Sequence, residues 1–268
     1  MTSAHRPAPM ITGATRLLGF IGDPVIHAKS PQNFNPRLAA AGHDAVLVPM
    51  HIPQDRFETA IGGIMAMANL DGLVVTMPFK ERLMARLDQI SARARAVGAV
   101  NAAKRLPDGR WVGDIFDGVG LVGAVESLGI SPRGMAVGLI GAGGAGSAIA
   151  LALAEADVAS LAIVDRKAAR AAQLCDRVAA FSALRPTNGP FDIGKLDLLV
   201  HATPIGMQGD DEIAIDVSGL SPGTAVVDIV TKPETALLRA AARIGCPHAG
   251  GAAMVEAQTR AILEFLGY

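Results

Sequence analysis

The sequence has little of what would place it in several large classes of protein. Its 268 residues include two cysteines, Cys175 and Cys246, whose spacing is not that of a metal or redox site. The formal net charge is −1, so there is no basic surplus to attract nucleic acid or anionic lipid. The six histidines are scattered and form no ligand cluster. We therefore expect no nucleic acid, no membrane and no metal among the partners, and reduced cysteines as in a cytoplasmic protein.

The sequence also has no long hydrophobic run. The longest, 148–164, is interrupted by Glu155, Asp157 and Ser160, which excludes a membrane span. Residues 1–15 are polar, contain proline and lack the apolar core of a secretory signal, so we expect a loose tail. Half of the residues are hydrophobic and 18% are charged, which predicts about two folded domains with sizeable cores.

Glycine is plentiful, and three glycines stand at an informative spacing. The apolar run 136–140, which predicts a strand, is followed by Gly141, Gly143 and Gly146, and then by the alanine-rich segment 147–155, which predicts a helix. A second apolar run ends at Asp165, 24 positions after Gly141 (165 − 141). This order of strand, G-x-G-x-x-G, helix, strand and acid is typical of a dinucleotide-binding turn. For the glycine spacing alone, a flexible turn is the alternative interpretation.

The remaining pattern predicts an α/β protein. The chain before the glycine-rich turn alternates strand and helix signals, which favours a mostly parallel sheet with helices on both sides. Ser30 and Pro31 predict the capped start of a helix, and residues 81–87 are predicted to be helical. The glycine pair 250–251 indicates a flexible joint before a last amphipathic helix over 252–266.

Short motifs follow one another in order along nearly the whole chain. They are Lys29-Ser30-Pro31, Val75-Thr-Met-Pro-Phe-Lys80, Gly98-Ala-Val-Asn101, Asp117-Gly118-Val-Gly120, Gly141-Ala-Gly-Gly144, Ala202-Thr203 with Gly206-Met207, Asp228, and Met254 with Gln258. Together they resemble the shikimate and quinate dehydrogenase family, and in particular its atypical shikimate-dehydrogenase-like branch.

The resemblance implies the architecture. It predicts an N-terminal α/β substrate domain that faces a C-terminal Rossmann dinucleotide-binding domain across a cleft, with the last helix returning to the first domain. The expected bounds are 1–117 with 245–268 for the substrate-binding catalytic domain, and 118–244 for the Rossmann domain. The implied activity is reversible hydride transfer between NAD(P) and a ring secondary alcohol, with shikimate and 3-dehydroshikimate as the default pair and quinate as a related substrate.

The resemblance assigns the catalytic pair to Lys80 and Asp117. Oxidation of a secondary alcohol removes a hydride, which the nicotinamide takes, and a proton, which a protein group must take. A lysine amine accepts this proton and returns it as an ammonium in the reverse reaction, while Asp117 orients the ammonium. Taken singly, Lys80 could be a surface lysine at the start of a helix, and Asp117 a helix N-cap.

The candidate binding residues follow from the same resemblance. Ser30 matches a serine that holds the substrate carboxylate, and Thr231 stands where a tyrosine commonly contacts that carboxylate. Thr76, Asn101 and Gln258 match positions that bind ring hydroxyls. The alternative, purely structural interpretations are a helix cap for Ser30, strand ends for Thr76 and Asn101, and a helix surface position for Gln258. The predicted dinucleotide-binding residues are Gly141, Gly143, Gly144, Ala145, Gly146, Asp165, Arg166, Thr203 and Ile229.

Five positions depart from the family's usual residues: Ala28, Val74, Ile115, Phe116 and Thr231. The first and last replace a serine and a tyrosine on the carboxylate side. A hydrogen bond to a charged group contributes about 1.5–3 kcal/mol, so losing two would cost shikimate about two to four decades in binding or rate, at about 1.4 kcal/mol per decade. We therefore expect a related cyclic hydroxy acid, or a ring with a different acidic substituent, as the substrate.

Asp165 also bears on the cofactor. A carboxylate there binds the ribose diol and repels a 2′-phosphate, which favours NAD, while the adjacent Arg166 leaves NADP open. The alternative function is a dinucleotide-sensing or regulatory protein with a weak catalytic site. A reductase acting on an RNA-linked substrate is disfavoured because there is no basic surplus. We expect a monomer or homodimer whose partner is a small cyclic hydroxy acid.

Overall fold

The computed structural model describes residues 11–207 and 212–268, which form two compact units. The first unit contains the described residues up to Ile90, with Ala99–Asp114 and Ile262–Tyr268. The second contains Ser91–Gly98 and Ile115–Ala261. Residues 1–10 of the predicted tail lie outside the described residues. The sequence-based domain bounds 1–117 with 245–268, and 118–244, stay a prediction.

The first unit is built on a six-stranded sheet in the order β2-β1-β3-β5-β6-β4. Its largest fully buried side chains include Leu18, Ile21, Leu47 and Leu73, from the three adjacent strands that form one side of this sheet. The strands are β1 (Arg16–Gly22), β2 (Ala45–His51), β3 (Leu70–Val75), β4 (Gln89–Ile90), β5 (Ala102–Arg105) and β6 (Trp111–Asp114), and the helices are α1 (Ser30–Ala40) and α2 (Phe57–Met65).

This sheet is mixed. β1 lies parallel to β2 and β3, but β5 runs antiparallel to both β3 and β6. The cause is the short turn between β5 and β6, where Gly109 has a φ of +86° and donates its N–H to Leu106, since so short a connection joins only antiparallel strands. A second difference concerns residues 81–87, which were predicted to be helical: Arg82–Arg86 forms a 3₁₀ helix, not an α-helix.

The predicted cap of α1 is wrong. The helix begins at Ser30 itself, and its N-cap is Lys29, with no side-chain hydrogen bond closing the first turn. Pro31 does stand in the first turn, as predicted. The Ser30 hydroxyl is therefore not used to cap the helix.

The second unit contains an all-parallel six-stranded sheet in the order β12-β11-β10-β7-β8-β9. Apolar clusters cover both of its faces, as a parallel sheet requires. The strands are β7 (Ala136–Ile140), β8 (Ser160–Val164), β9 (Thr187–Asn188), β10 (Leu198–His201), β11 (Ala225–Asp228) and β12 (His248–Ala249). The helices are α3 (Ala92–Val97), α4 (Asp117–Glu126), α5 (Gly144–Glu155), α6 (Ala168–Phe181), α7 (Ala236–Ile244) and α8 (Gly251–Leu266).

Helix α8 begins in the second unit, and its residues from Ile262 onward belong to the first. Its start is not the flexible joint predicted from Gly250 and Gly251. Gly251 is buried and donates its N–H to Val230, and a Cβ atom there would collide with the carbonyl oxygen of Ile229. Gly251 therefore allows a close backbone approach.

Candidate functional site

In the first unit, Thr76 and Asn101 lie at one edge of the sheet. Thr76 directly follows β3 and donates its N–H to Ile21 of β1 at 3.0 Å. Asn101 directly precedes β5, and its carbonyl accepts a 2.8 Å hydrogen bond from Val75. Because β5 is antiparallel, its start meets the carboxyl ends of β1 and β3. Asn101 is 3% exposed, whereas Thr76 is half-buried.

Lys80 follows on the loop that leaves this same edge. Its carbonyl accepts a 2.9 Å hydrogen bond from the N–H of Val100, and its side chain is half-buried. The preceding residue, Phe79, is fully buried and stacks on Phe57 with ring centroids 4.5 Å apart. The guanidinium of Arg82 lies 4.6 Å from the Phe57 centroid. The side chain of Lys80 therefore extends from a stretch of backbone that is held in place on both sides.

The candidate residues for a carboxylate are more dispersed. Ser30 is half-buried at the start of α1 in the first unit, and Ala28 is half-buried in the loop before it. Thr231 is exposed in the second unit, three residues after Asp228. The other three departures from the family pattern, Val74, Ile115 and Phe116, are 5%, 1% and 6% exposed and serve packing.

In the second unit, Asp117 and Gln258 form a hydrogen-bonded pair. Gln258 Nε2 donates to Asp117 Oδ1 at 2.6 Å. Asp117 is the first residue of α4, and the N-cap is Phe116, so the alternative of Asp117 as an N-cap is wrong. Gln258 was predicted to contact substrate, and here it holds a predicted catalytic carboxylate.

The glycines that follow Asp117 allow this pairing. A Cβ at Gly118 would collide with the carbonyl oxygen of Ala148 on α5, and one at Gly120 would lie 2.7 Å from the carbonyl oxygen of Met254 on α8. Helix α4 therefore packs closely against α5 on one side and α8 on the other. The D-G-x-G motif thus has a packing basis, because its glycines let α8 present Gln258 to Asp117.

The glycine-rich turn joins β7 to α5 as the spacing predicted. Gly141 has a φ of +105°, and Gly143 is the N-cap of α5, with no side chain capping the helix. A Cβ at Gly146 would collide with the carbonyl oxygen of Gly141, whereas Gly143 and Gly144 are exposed and face open space. The N–H groups of this first turn, which no helical carbonyl can pair, thus border room for a phosphate.

A pocket of about 490 Å³ lies at the carboxyl edge of the second sheet. Thr203 follows β10 and Asp165 follows β8, the strands on either side of β7, and this is where the strand order reverses. Lys167 and Arg170 are lining residues that the sequence reasoning missed, although both follow the acid at the end of β8. The lining residues are Asp165, Arg166, Lys167, Arg170, Thr203, Pro204, Ile205 and Met207.

Asp165 is held by backbone groups. Its Oδ2 accepts the N–H of Ala142 and its Oδ1 the N–H of Lys167, both at 2.8 Å. Partial burial acts to raise the pKa of this carboxyl, but the two N–H donors, with Arg170 and Arg166 nearby, lower it overall. The carboxylate therefore secures the glycine-rich turn as well as bordering the pocket.

Behind Thr203 lies a buried polar chain. His201 Nε2 is 2.6 Å from Thr203 Oγ1, and His201 Nδ1 is 3.0 Å from Asp228 Oδ1. Thr235 Oγ1 donates to Asp228 Oδ2 at 2.7 Å. Asp228 was noted only as a motif residue, and His201 and Thr235 were missed. A histidine directly after the apolar run Leu198–Val200 was the available signal. Ile229 is half-buried beside this chain, and its N–H donates to His201 at 3.1 Å.

Two kinds of structural feature are absent from the described ranges 11–207 and 212–268. Within them, no group of three or more His, Cys, Asp or Glu side chains is arranged to hold a metal ion. No helix within the same ranges has both the length and the apolar character to span a bilayer.

The chain is similar to proteins of one family. Residues 20–103 match the shikimate dehydrogenase substrate binding domain, and residues 125–206 match the shikimate / quinate 5-dehydrogenase domain. The shikimate dehydrogenase (NADP(+)) of Rubrobacter xylanophilus is 39% identical over 253 residues, which is 92% of this chain and 89% of that protein.

Two solved structures are also similar. One is the shikimate 5-dehydrogenase of Listeria monocytogenes in complex with shikimate and NAD, with a TM-score of 0.89 and 30% identity over 99% of this chain and 94% of that one. The other is the ligand-free 5-ketofructose reductase of Gluconobacter sp. strain CHM43, with a TM-score of 0.88 and 28% identity over 94% and 93%. Membership of the atypical branch stays a prediction. The chain belongs to the shikimate dehydrogenase family, which confirms the family, the α/β fold class and the NAD(P)-dependent dehydrogenase class predicted from the sequence.

Proposed function

We propose that this protein catalyses reversible hydride transfer between NAD(P) and a ring secondary alcohol of shikimate or a related cyclic hydroxy acid. The observation that carries the proposal is the gathering of Thr76, Lys80 and Asn101 at one edge of the first sheet. These residues are separated in the chain, and the antiparallel β5 is what brings Asn101 to that edge. Two hydrogen-bonding side chains and an amine are suited to a polyhydroxylated ring.

We assign the proton transfer to Lys80. When bound, the nicotinamide supplies or accepts the hydride. The Lys80 amine takes the hydroxyl proton during oxidation, and the ammonium returns it to the carbonyl oxygen during reduction. The hydrogen bond from Val100 and the buried ring of Phe79 fix the point from which the side chain extends, which limits the loss of freedom on binding.

Asp117 is the proposed second catalytic residue. Its carboxylate accepts from Gln258 and retains the capacity of a carboxylate to accept from a substrate hydroxyl. In this proposal Gln258 orients Asp117 in addition to any contact with the ring. Ser30 and Thr231 are the proposed contacts for an acidic substituent, with Ala28 contributing no hydroxyl.

The glycine-rich turn is the proposed pyrophosphate site. Gly143 and Gly144 leave space that a side chain would fill, and the positive end of α5 points toward that space. Gly141 and Gly146 hold the turn close to the helix. Among the other proposed contacts, Ala145 belongs to the first turn of α5, and Thr203 and Ile229 follow the neighbouring strands β10 and β11.

The choice between NAD and NADP depends on the charges in the pocket. The preference for NAD predicted from Asp165 requires that its carboxylate face the ribose. However, both oxygens of Asp165 already accept backbone N–H groups, and Arg166, Lys167 and Arg170 line the same pocket. A 2′-phosphate carries about two negative charges at neutral pH. We propose that the three cations admit NADP, and that Asp165 keeps NAD as a usable cofactor.

The substrate side supports a second candidate. Ala28 and Thr231 offer one hydroxyl fewer and a shorter side chain than the family's usual serine and tyrosine, while Val74 and Phe116 are buried and explain nothing about specificity. A polyhydroxy ketone without a carboxylate fits this loss. The similar structure named as a 5-ketofructose reductase makes such a ketone a specific test compound.

A panel of reactions tests these proposals. NADPH and NADH consumption would be followed with 3-dehydroshikimate, 3-dehydroquinate and 5-ketofructose, and the reverse reaction with shikimate and quinate. We expect turnover of at least one of these compounds. In Lys80→Ala, kcat/KM for that compound should fall about 10²-fold or more, since general acid–base catalysis contributes that much. Lys195→Ala, which changes a lysine that is 83% exposed, is the matched control.

Direct titration with NADPH, followed by its fluorescence, separates the alternatives. Binding without turnover of any panel compound would favour the dinucleotide-sensing function, and absence of binding would contradict the dehydrogenase proposal. A monomer or homodimer in the cytoplasm remains our prediction for the assembly and its location.

A further inference from the structure

The polar chain behind Thr203 starts where two apolar strands end. Leu198–Val200 of β10 and Ala225–Val227 of β11 are fully apolar, and the next residues, His201 and Asp228, are register partners across the two strands. His201 is 2% exposed, Asp228 1% and Thr235 2%. Burying these groups costs more than burying aliphatic side chains, so their place at the pocket edge needs a reason.

The hydrogen bonds fix where the protons lie. The Asp228 carboxylate accepts from Thr235 Oγ1 at 2.7 Å and from the N–H of Val230 at 3.1 Å, so His201 Nδ1 must be the donor in its 3.0 Å bond to Asp228. In the neutral ring, Nε2 then accepts from the hydroxyl of Thr203 at 2.6 Å. Across residues 11–207 and 212–268, no buried side-chain nitrogen or oxygen lacks a partner.

These hydrogen bonds fix the orientation of the Thr203 side chain. Its hydroxyl points back to His201 and also accepts the N–H of Ile205 at 3.2 Å. Its methyl group faces Gly141, where a Cβ would lie 2.9 Å from Thr203 Cγ2. Thr203 thus links the buried chain both to the glycine-rich turn and to the pocket that it lines.

We propose that His201 is a positioning residue for dinucleotide binding, which it promotes by holding Thr203 and the loop after β10 against the glycine-rich turn. It does so without touching the dinucleotide, since its ring is buried. Asp228 orients the ring by accepting from Nδ1, and Thr235 orients Asp228. The inference rests on the proposed function, because it assigns the turn and the pocket to a dinucleotide.

Two substitutions at position 201 separate support of the fold from positioning of Thr203. In His201→Asn the amide nitrogen stands near the place of Nδ1 and keeps a donor for Asp228, but the side chain is too short to reach Thr203. In His201→Gln the amide oxygen stands near the place of Nε2 and still accepts from Thr203. We expect His201→Asn to raise the dissociation constant for NADPH about five- to tenfold, the effect of one lost hydrogen bond, and His201→Gln to restore most of it.

Steady-state kinetics should show different effects on the dinucleotide and on the cyclic substrate. In His201→Asn the KM for the dinucleotide should rise by the same five- to tenfold factor, while kcat at saturating dinucleotide and the KM for the cyclic substrate stay within about twofold. A general loosening of the fold would move all three together, and that result would overturn the proposal.

Thr203→Val supplies an independent test, because it keeps the methyl group and replaces the hydroxyl with a second methyl. It should weaken NADPH binding at least as much as His201→Asn does, because it removes the bond to His201 and also the acceptor of the Ile205 N–H. The double variant should be no worse than Thr203→Val alone, since the bond between His201 and Thr203 is already lost there. Additive effects would contradict the proposal, as would unchanged binding in His201→Asn. If the wild-type protein itself does not bind NADPH, the proposed function fails and this inference with it.

Discussion

Gln258 holds the carboxylate of Asp117 through a 2.6 Å hydrogen bond, although 141 positions separate the two residues. Both belong to the second unit, and Gly120 on α4 lets the helices that carry them approach closely. Gln258 therefore acts on the proposed catalytic carboxylate directly.

Replacing Gln258 by Leu should lower kcat about tenfold, because a hydrogen bond to a charged group contributes about 1.5–3 kcal/mol and only part of it bears on the reacting geometry. The dissociation constant for NADPH should not change. Steady-state kinetics with saturating dinucleotide gives the first value and fluorescence titration the second. Arg260→Ala, at an exposed position on the same helix, is the control. An unchanged kcat in Gln258→Leu would show that Asp117 needs no partner.

Cofactor preference should respond to the two charges at the end of β8. Asp165→Asn removes the negative charge beside the pocket, so we expect the ratio of kcat/KM for NADP to that for NAD to rise about tenfold. Arg166→Ala should lower the same ratio by a similar factor, because a bidentate cation is lost. Asp176→Asn on α6 makes the same charge change at an exposed position away from the pocket lining and should leave the ratio as it is. Equal effects of Asp165→Asn and Asp176→Asn would point to net charge as the cause.

Replacement by alanine should have opposite effects on stability at two helical glycines, Gly118 in the closely packed α4 and Gly62 in α2. In Gly118→Ala the new methyl group would collide with the Ala148 carbonyl and lie 2.6 Å from the Cβ of Ala152, so we expect a loss of about 1–3 kcal/mol in the free energy of unfolding. In Gly62→Ala, within α2, the methyl group meets nothing within 4 Å, and higher helix propensity should add up to about 1 kcal/mol. Urea unfolding of both variants measures the difference, and a neutral Gly118→Ala would mean that α4 and α5 separate easily.

Tyr268 makes the stability of the first unit depend on pH. Its hydroxyl donates to Asp71 Oδ2 at 2.7 Å, and Arg16 also pairs with that carboxylate. Burial, and then the bond to Asp71, raise the pKa of Tyr268 above its ordinary value of about 10. The hydrogen bond from Arg16, opposed by partial burial and aided by Tyr268, lowers the pKa of Asp71.

The direction of the pH dependence of stability follows from these two pKa shifts. Because folding raises the pKa of Tyr268, its contribution is complete below about pH 10 and is lost as the pH rises through the folded-state value. Because folding lowers the pKa of Asp71, its contribution is complete above about pH 4 and is lost in acid. Tyr268→Phe should therefore cost about 1 kcal/mol near pH 7, and less at pH 11 than at pH 7. Thermal unfolding at both values checks this, and a pH-independent difference would contradict it.

Periodicity and glycine spacing were sufficient for the main elements. The strand predicted over 136–140 has those bounds in the structure, because its apolar run ends at a glycine with positive φ. The two-residue strands β4, β9 and β12 were missed, since two residues carry no period. Helix α5 begins at Gly144, three residues earlier than predicted, because packing against Gly141 overrides the low helix propensity of glycine.

The site was predictable only where a motif was local. The spacing of Gly141, Gly143 and Gly146 identified the turn without any knowledge of the rest of the chain. The bond between Gln258 and Asp117 was not visible in the sequence, because it depends on how three helices pack. The apolar run before His201 marks the end of a strand but not the role of the histidine, since its partner Asp228 comes from the next strand of the sheet.

The assignment of Ile262–Tyr268 to the first unit has a consequence for how the protein is made. A ribosome finishes the whole of the second unit before it synthesises these residues, so nascent Asp71 has no phenol to bind and Gly72 lacks the Leu266 side chain that packs over it. The first unit, although it begins near the start of the chain, can therefore complete its core only after residues 262–268 have been made.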